Sequence, residues 1–196
     1  GWQPAQLRAV EIMASAREKL EQTHKIRTFA TLERFGAEAT DADCIVLAVK
    51  PQQLREVALA LAPLLKQQLV VSIAAGIRCG DLSRWLGGFQ RIVRVMPNTP
   101  ALLGAGASGL FANARVSVEQ KNIAGMLFEA TGICAWISDE AQMDTVTALS
   151  GSGPAYVFLL CEAMQAAAEK QGLPVDAARA LAVQTFVGAA RMLSQS

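Results

Sequence analysis

A run of six apolar residues at positions 44–49, Cys-Ile-Val-Leu-Ala-Val, limits the folds open to this chain more than any other part of the sequence. A strand without polar residues on either face has to be covered on both faces, as strands of a parallel sheet are. Further short runs rich in apolar residues occur at residues 7–13, 69–73, 91–96 and 133–137, with helical patterns between them. This alternation predicts an α/β fold with a mostly parallel sheet and helices on both of its faces.

Two of the intervening helices have clear starts. Pro51 stands where the first turn of a helix tolerates proline, ahead of an apolar face formed by Leu54, Val57, Leu61 and Leu64. Residues 117–120, Ser-Val-Glu-Gln, form a capping-box pattern. The pattern predicts a helix that begins there and ends near Gly132.

The sequence pattern changes near Ser138, and the rest of the chain is helical and dense in alanine. Small side chains let helices approach one another closely. Glycine and proline predict helix breaks at residues 150–154 and 172–174. We therefore expect a sheet domain over residues 1–138 and an all-α domain over residues 139–196.

The charge balance and the cysteine spacing argue against several functional classes. Eighteen Lys and Arg residues stand against 17 Asp and Glu residues, so nothing favours a nucleic acid or an anionic membrane as partner. The four cysteines form no C-x-x-C pair and there is one histidine, so we expect no metal site. Unpaired cysteines and the lack of a basic-then-apolar leader favour a cytoplasmic location.

The chain is richer in apolar residues than an average domain. Hydrophobic residues make up 52% of it and charged residues 18%, against about 25% charged in typical domains. Residues 153–193 are apolar around much of each helix, more than a small sheet domain can cover. We therefore expect a homodimer or a higher homo-oligomer built on this region.

Three predicted strands are followed by turns rich in small residues or proline, at residues 50–51, 74–76 and 97–100. In an open parallel sheet such turns lie together at the carboxyl edge, where ligands bind. Ordinary tight connections would need the same residue types, so both interpretations stay open.

The turn after the first predicted strand carries Ser15 and Arg17, and no acid stands among residues 13–17. Hydroxyl and guanidinium groups suit the 2′-phosphate of NADPH, whereas an acid would favour NAD. A solvated helix start explains the same residues without any ligand.

Two features of the helical region are candidates for substrate contact. Ser150, Gly151, Ser152 and Gly153 could open a helix whose free amides bind an anion such as a carboxylate, or they could be a loosened turn for close packing. Glu140 could face a pocket, or it could compensate a helix dipole together with Asp139.

Five motifs in order resemble the Δ1-pyrroline-5-carboxylate reductase family. They are Ala48-Val-Lys-Pro-Gln52, Ser72-Ile-Ala-Ala-Gly76, Arg94-Val-Met-Pro-Asn-Thr-Pro100, Ala148-Leu-Ser-Gly-Ser-Gly-Pro-Ala-Tyr156 and Gly172-Leu-Pro174. Each motif is weak alone, but the ordered set is specific and runs across nearly the whole chain.

The resemblance implies a Rossmann-like domain followed by a helical dimerisation domain, with NADPH (or NADH) reducing pyrroline-5-carboxylate to L-proline. It implies that the following residues contact the cofactor: Ser15, Arg17, Ala48, Val49, Lys50, Pro51, Ala74, Ala75 and Asn98. It also raises the expectation that Glu140 faces the substrate, and it implies neither a metal nor a defined catalytic side chain.

The resemblance also implies two segments that the sequence lacks. The family begins with a strand and a glycine-rich phosphate loop, and it continues into helices that carry a substrate loop. The first βα unit and the C-terminal part are therefore expected to be missing, and this chain alone to be inactive. Two alternatives stay open: another two-domain NADP-linked reductase of a small hydroxy acid or imine, or a non-catalytic dinucleotide-binding or dimerisation fragment.

Overall fold

The structure is a computed structural model that describes residues 2–39 and 41–195. Its strands are β1 (Arg8–Val10), β2 (Arg27–Phe29), β3 (Cys44–Leu47), β4 (Leu69–Ser72), β5 (Ile92–Met96), β6 (Gly106–Ala112) and β7 (Gly132–Ile137). Its α-helices are α1 (Ala14–His24), α2 (Leu32–Ala39), α3 (Pro51–Leu61), α4 (Cys79–Trp85), α5 (Val118–Glu129), α6 (Met143–Val146), α7 (Gly153–Lys170) and α8 (Val175–Leu193).

The strands form two sheets. Five strands pair in the order β3-β4-β5-β6-β7, and β1 pairs with β2 in a separate sheet. Every pair is parallel except β5 with β6. The predicted α/β architecture, a Rossmann-like and mostly parallel sheet followed by helices, is confirmed.

The side chains of the central strands alternate between two cores, as a sheet covered on both faces requires. Val70 on β4 packs with α3 and α4, whereas Leu69 and Val71 pack with α5. All three are fully buried. This arrangement explains why the central strands have so few polar residues.

Both predicted helix starts are confirmed. Pro51 is the first residue of α3. At α5 the Gln120 amide donates to Ser117 Oγ at 3.2 Å, and the Ser117 amide donates to Gln120 Oε1 at 3.2 Å. The two bonds satisfy amides that a helix start leaves unpaired.

The predicted break at residues 150–154 is confirmed, because one helical turn ends at Gly151, Ser152 lies outside both elements, and α7 begins at Gly153. A π-helical turn, Thr147–Gly151, joins α6 to α7. The predicted break at residues 172–174 is confirmed, since Gly172 has a φ of +92° and α8 begins at Val175. A positive φ costs glycine little conformational energy, so α7 ends just before this residue.

Candidate functional site

The three predicted turns meet at one edge of the sheet. β3, β4 and β5 are adjacent and parallel, so their carboxyl ends lie side by side. The Ile73 amide donates to Leu47 O at 3.2 Å, which ties the end of β4 to the end of β3. Here Ala74 is buried, while Ala75 and Ala48 are exposed at the surface of the turns. The edge therefore offers a shallow, small-residue surface for a flat ligand.

Lys50 and Val49 complete this edge. Lys50 is the exposed residue just before α3, and Val49 packs partly against the core below the turn. The structure therefore brings together Ala48, Val49, Lys50, Pro51, Ala74 and Ala75.

The turn between β1 and α1 holds Arg17 in a defined position. Arg17 Nη1 donates to Glu11 O at 2.7 Å and to Ile12 O at 2.9 Å. Ser15 is exposed in the first turn of α1. The guanidinium folds back over the turn and is held by two backbone carbonyls, so its contact with a phosphate stays a prediction beside the alternative of a helix start.

Asn98 joins three elements at the end of β5. Its Nδ2 donates to Ser150 O at 3.0 Å, and its Oδ1 accepts from the Ala107 amide at 2.9 Å. These bonds fix β6 and the π-helical turn relative to β5. The amide of Asn98 is therefore a structural link, and contact with a cofactor would fall to its backbone and neighbours.

Glu140 links the helical region to the sheet. Its Oε1 accepts from the Cys79 amide at 2.6 Å, at the start of α4, and lies 3.3 Å from Arg94 Nη1. The helix that Glu140 itself begins is capped instead by Asp139, whose Oδ1 accepts from the Ala141 amide at 2.9 Å. Glu140 stands in the first turn of this helix, as the dipole alternative expects, and its carboxylate also caps a helix 61 residues away in sequence.

Arg94 was not predicted as a site residue, and it lies at the centre of this junction. Its side chain is 5% exposed, and Asp144 Oδ1 lies 3.9 Å from Nη2. A charged residue inside the apolar run of β5 was the signal that could have found it, because a buried charge requires a partner. Both acidic partners come from the helical region.

Cys79 lies against the same carboxylate. Burial first, and then the negative charge of Glu140, raise the pKa of the Cys79 thiol from 9.0 to about 12. A thiol with so high a pKa is a poor nucleophile near neutral pH. Cys79 therefore has a packing role.

Two groups of the turn at residues 150–153 are bonded within the preceding helical turn. The Ser152 amide donates to Thr147 O at 2.8 Å, and Ser150 Oγ donates to Val146 O at 3.0 Å. A Cβ at Gly151 would come within 2.6 Å of Met96 Cε, so this turn packs closely against the end of β5. These contacts agree with the close-packing alternative, and anion binding by the turn stays a prediction.

A largely apolar cavity of about 350 Å³ lies between this turn and the end of β5. It is lined by Asn98, Pro100, Leu149, Ser150, Gly153, Pro154, Val157 and Phe158. The cavity thus includes candidates from both halves of the chain, Asn98 from the sheet and Ser150 and Gly153 from the helical region. A π-helical turn beside a cavity is a frequent mark of a functional site.

The described residues form neither a metal cluster nor a membrane-spanning helix. No group of three or more His, Cys, Asp or Glu side chains among residues 2–39 and 41–195 could hold a metal ion. Within the same residues no helix is long and apolar enough to cross a membrane.

Two family models match separate parts of the chain. The model for pyrroline-5-carboxylate reductase dimerisation matches residues 140–196. The model described as NADP oxidoreductase, coenzyme F420-dependent, matches residues 5–76. The second match contains the β1–α1 turn and the turns after β3 and β4.

Relatives match over nearly the whole chain. Pyrroline-5-carboxylate reductase of Pseudomonas aeruginosa is 52% identical over 98% of this chain and 70% of its own length. The structure of the reductase of Coxiella burnetii superposes with a TM-score of 0.93 at 40% identity, over all of this chain and 72% of that one. The Plasmodium falciparum reductase, solved with NADP bound, superposes with a TM-score of 0.84 at 29% identity, over all of this chain and 81% of that one.

Proposed function

The chain belongs to the pyrroline-5-carboxylate reductase family, and from this premise we propose that the protein carrying it reduces 1-pyrroline-5-carboxylate to L-proline with NADPH. The observation that carries the proposal is 52% identity with a named reductase over 98% of the chain. Sequence and structure agree on it, because the whole chain superposes on another reductase with a TM-score of 0.93.

The residues at the carboxyl edge fit a dinucleotide. A Cβ at Gly76 would meet no atom within 4 Å, so space is open beside the small residues of this turn. Arg17 and Ser15 offer a guanidinium and a hydroxyl, which are the donors that a 2′-phosphate requires. We assign cofactor contact to Ser15, Arg17, Ala48, Val49, Lys50, Pro51, Ala74 and Ala75, and to the backbone around Asn98.

The substrate would occupy the cavity between the β5 end and the π-helical turn. Bound NADPH supplies the hydride that reduces the C=N bond of the substrate at carbon, while the ring nitrogen gains a proton. The chain contributes position, through the apolar walls from Pro100, Val157 and Phe158. Ser150 and Gly153 line the cavity, and Gly151 and Ser152 belong to the same turn, so all four stay substrate-site candidates. Glu140 stays a candidate at the junction of the helical region with the sheet.

The helical region would form the interface of a homodimer or a higher homo-oligomer. The dimerisation model covers residues 140–196, and none of the described residues of α7 is buried. Exposed apolar side chains on α7 and α8 include Phe158, Leu159, Leu160, Leu181 and Met192. Such a surface is unusual on a monomer and typical of an interface.

Two further points belong to the same proposal. The domain boundary falls between residues 138 and 139, supported by the end of β7 at Ile137 and by the start of the dimerisation match at residue 140. A cytoplasmic location is supported by the unpaired state of all four cysteines.

A product assay on the complete purified protein tests the function. We expect NADPH oxidation that depends on pyrroline-5-carboxylate, with one proline formed for each NADPH oxidised. Oxidation of NADPH with another imine or keto acid in place of pyrroline-5-carboxylate, without proline, would overturn the assignment.

A further inference from the structure

A proline at the start of α7 deprives the π-helical turn of a backbone donor. In an α-helix the Ser150 carbonyl would accept from the amide of residue 154, but that residue is Pro154, which has no N–H group. The next amide along the chain, that of Ala155, donates to Ser152 O at 2.9 Å instead. The helix therefore does not offer the Ser150 carbonyl the donor that it would normally have at this position.

Asn98 supplies that donor from the sheet. Its Nδ2 donates to Ser150 O at 3.0 Å, while its Oδ1 accepts from the Ala107 amide at 2.9 Å. The two partners fix the orientation of the side-chain amide, because a carbonyl can only accept from its NH₂ group and a backbone N–H can only donate to its oxygen. Both polar ends of the Asn98 side chain are thus bonded within the chain.

The bond between Asn98 and Ser150 joins the two walls of the cavity of about 350 Å³. Asn98 and Pro100 line it from the end of β5, whereas Leu149, Ser150 and Phe158 line it from the helical region. A buried or half-buried carbonyl that loses its donor turns toward water or another partner. Loss of this bond would therefore let the wall formed by the π-helical turn move relative to the wall formed by β5.

We propose that Asn98 is a positioning residue for the substrate, which sets the separation of the two cavity walls through the Ser150 carbonyl. The inference rests on the proposed function, which places pyrroline-5-carboxylate in this cavity. It differs from cofactor contact by the Asn98 side chain, because that side chain has already used its donor and its acceptor within the protein. Loss of the bond should impair use of the substrate and leave binding of the dinucleotide unchanged.

Steady-state kinetics and calorimetry of Asn98→Asp, on the complete protein, test the inference. Aspartate keeps an oxygen for the Ala107 amide, but its second oxygen is an acceptor and faces the Ser150 carbonyl without a proton to donate. We expect kcat/KM for pyrroline-5-carboxylate to fall by about tenfold or more, the effect of leaving a hydrogen-bonding group unsatisfied. The Kd of NADP⁺, measured by isothermal titration without substrate, should stay within about twofold of the wild-type value.

A second variant restores the missing donor from the other side. Pro154→Ala gives residue 154 an N–H group that can donate to the Ser150 carbonyl, so Asn98→Asp/Pro154→Ala should regain part of the kcat/KM lost in Asn98→Asp. General damage to the fold would not be repaired by this change. A double variant with no higher kcat/KM than Asn98→Asp would contradict a role through the Ser150 carbonyl.

Asn113→Asp is the matched control. Asn113 Nδ2 donates to Gln90 Oε1 at 3.0 Å, and the Asn113 amide donates to Ile92 O at 2.9 Å, at the opposite end of β5 from Asn98. The substitution makes the same chemical change away from the cavity. It should leave kcat/KM for pyrroline-5-carboxylate and the Kd of NADP⁺ as they are in the wild type.

Failure of this inference and failure of the proposed function give different results. A wild-type protein that forms no proline from pyrroline-5-carboxylate would overturn the proposed function, and the substrate role of Asn98 with it. Proline formation by the wild type, with kcat/KM unchanged in Asn98→Asp, would overturn the positioning role alone. So would a loss of NADP⁺ affinity in Asn98→Asp as large as its loss of kcat/KM, because the side chain would then act on the cofactor.

Discussion

Removal of the Glu140 carboxylate should destabilise the junction between the sheet and the helical region more than any exposed acid would. The side chain is 22% exposed. Its Oε1 accepts hydrogen bonds from the buried guanidinium of Arg94 and from the first amide of α4. In Glu140→Ala both groups lose their acceptor. Arg94 then keeps only the exposed Asp144, whose Oδ1 lies 3.9 Å from Nη2. Removal of one partner from a buried ion pair costs about 3–5 kcal/mol, so we expect a loss near the lower end of that range in the free energy of unfolding.

Two variants separate the charge from the hydrogen bond. Glu140→Gln keeps an oxygen for the Cys79 amide but removes the negative charge, so its cost should be about 1.5–3 kcal/mol, the value of a charged hydrogen bond. Asp144→Asn is the control, because Asp144 lies 3.9 Å from Arg94 and its side chain is 69% exposed. An exposed pair of this kind is worth about 0–1 kcal/mol.

The assay is urea unfolding followed by circular dichroism, with midpoints compared at equal slopes. The double variant Arg94→Met/Glu140→Ala should be more stable than Glu140→Ala, because it removes the charge that was left unpaired. A cost below about 1 kcal/mol for Glu140→Ala would refute the reasoning. So would a double variant no more stable than Glu140→Ala.

Three further predictions concern other parts of the chain. The Cys79 thiol should resist iodoacetamide at pH 8 in the native protein and react with it in urea, and fast alkylation of the native protein would contradict this. Because the thiol keeps its proton longer in the folded state, the free energy of unfolding should fall as the pH rises from 9 toward 12. Gly109→Ala should lower the free energy of unfolding in urea by about 1–3 kcal/mol, because a Cβ there would come within 2.5 Å of a side chain of α6. Gly188→Ala is the control: a Cβ there would have no atom within 4 Å, and this variant should not lower the free energy of unfolding. Leu159→Glu, at a residue 68% exposed on α7, should shift the oligomer toward monomer in sedimentation velocity, while Leu59→Glu on α3 should leave the mass unchanged.

The fold was predictable where strands are buried on both faces. Residues 44–49, 69–73 and 91–96 were identified because burial on both faces removes polar residues, and β3, β4 and β5 form there. β6 was missed because its sequence is rich in glycine, alanine and serine. Its glycines are there for space: Gly109 lies under α6, and Gly106 packs against Thr131 O and Ala101. A strand selected for close approach carries little hydrophobic signal.

The candidate site was predictable as far as its turns, and not in its side-chain partners. Parallel strands bring their carboxyl ends together, so the meeting of the turns after β3, β4 and β5 follows from the strand assignment alone. The roles of Asn98 and Glu140 depend on tertiary contacts 46 to 61 residues away in sequence. No local pattern encodes such contacts, and a lone acid or amide has many equivalent explanations.

The end of β1 shows why a strand end must be read from backbone pairing and not from the apolar run in the sequence. Ile12 and Met13 extend the run to residue 13, yet they are 76% and 61% exposed and lie beyond the last paired residue of β1. Hydrophobicity placed the strand end at residue 13, whereas pairing places it at Val10. The three-residue difference moves Glu11 from inside the strand to the first position after it. A strand end taken from hydrophobicity alone is therefore displaced from the end that backbone pairing sets.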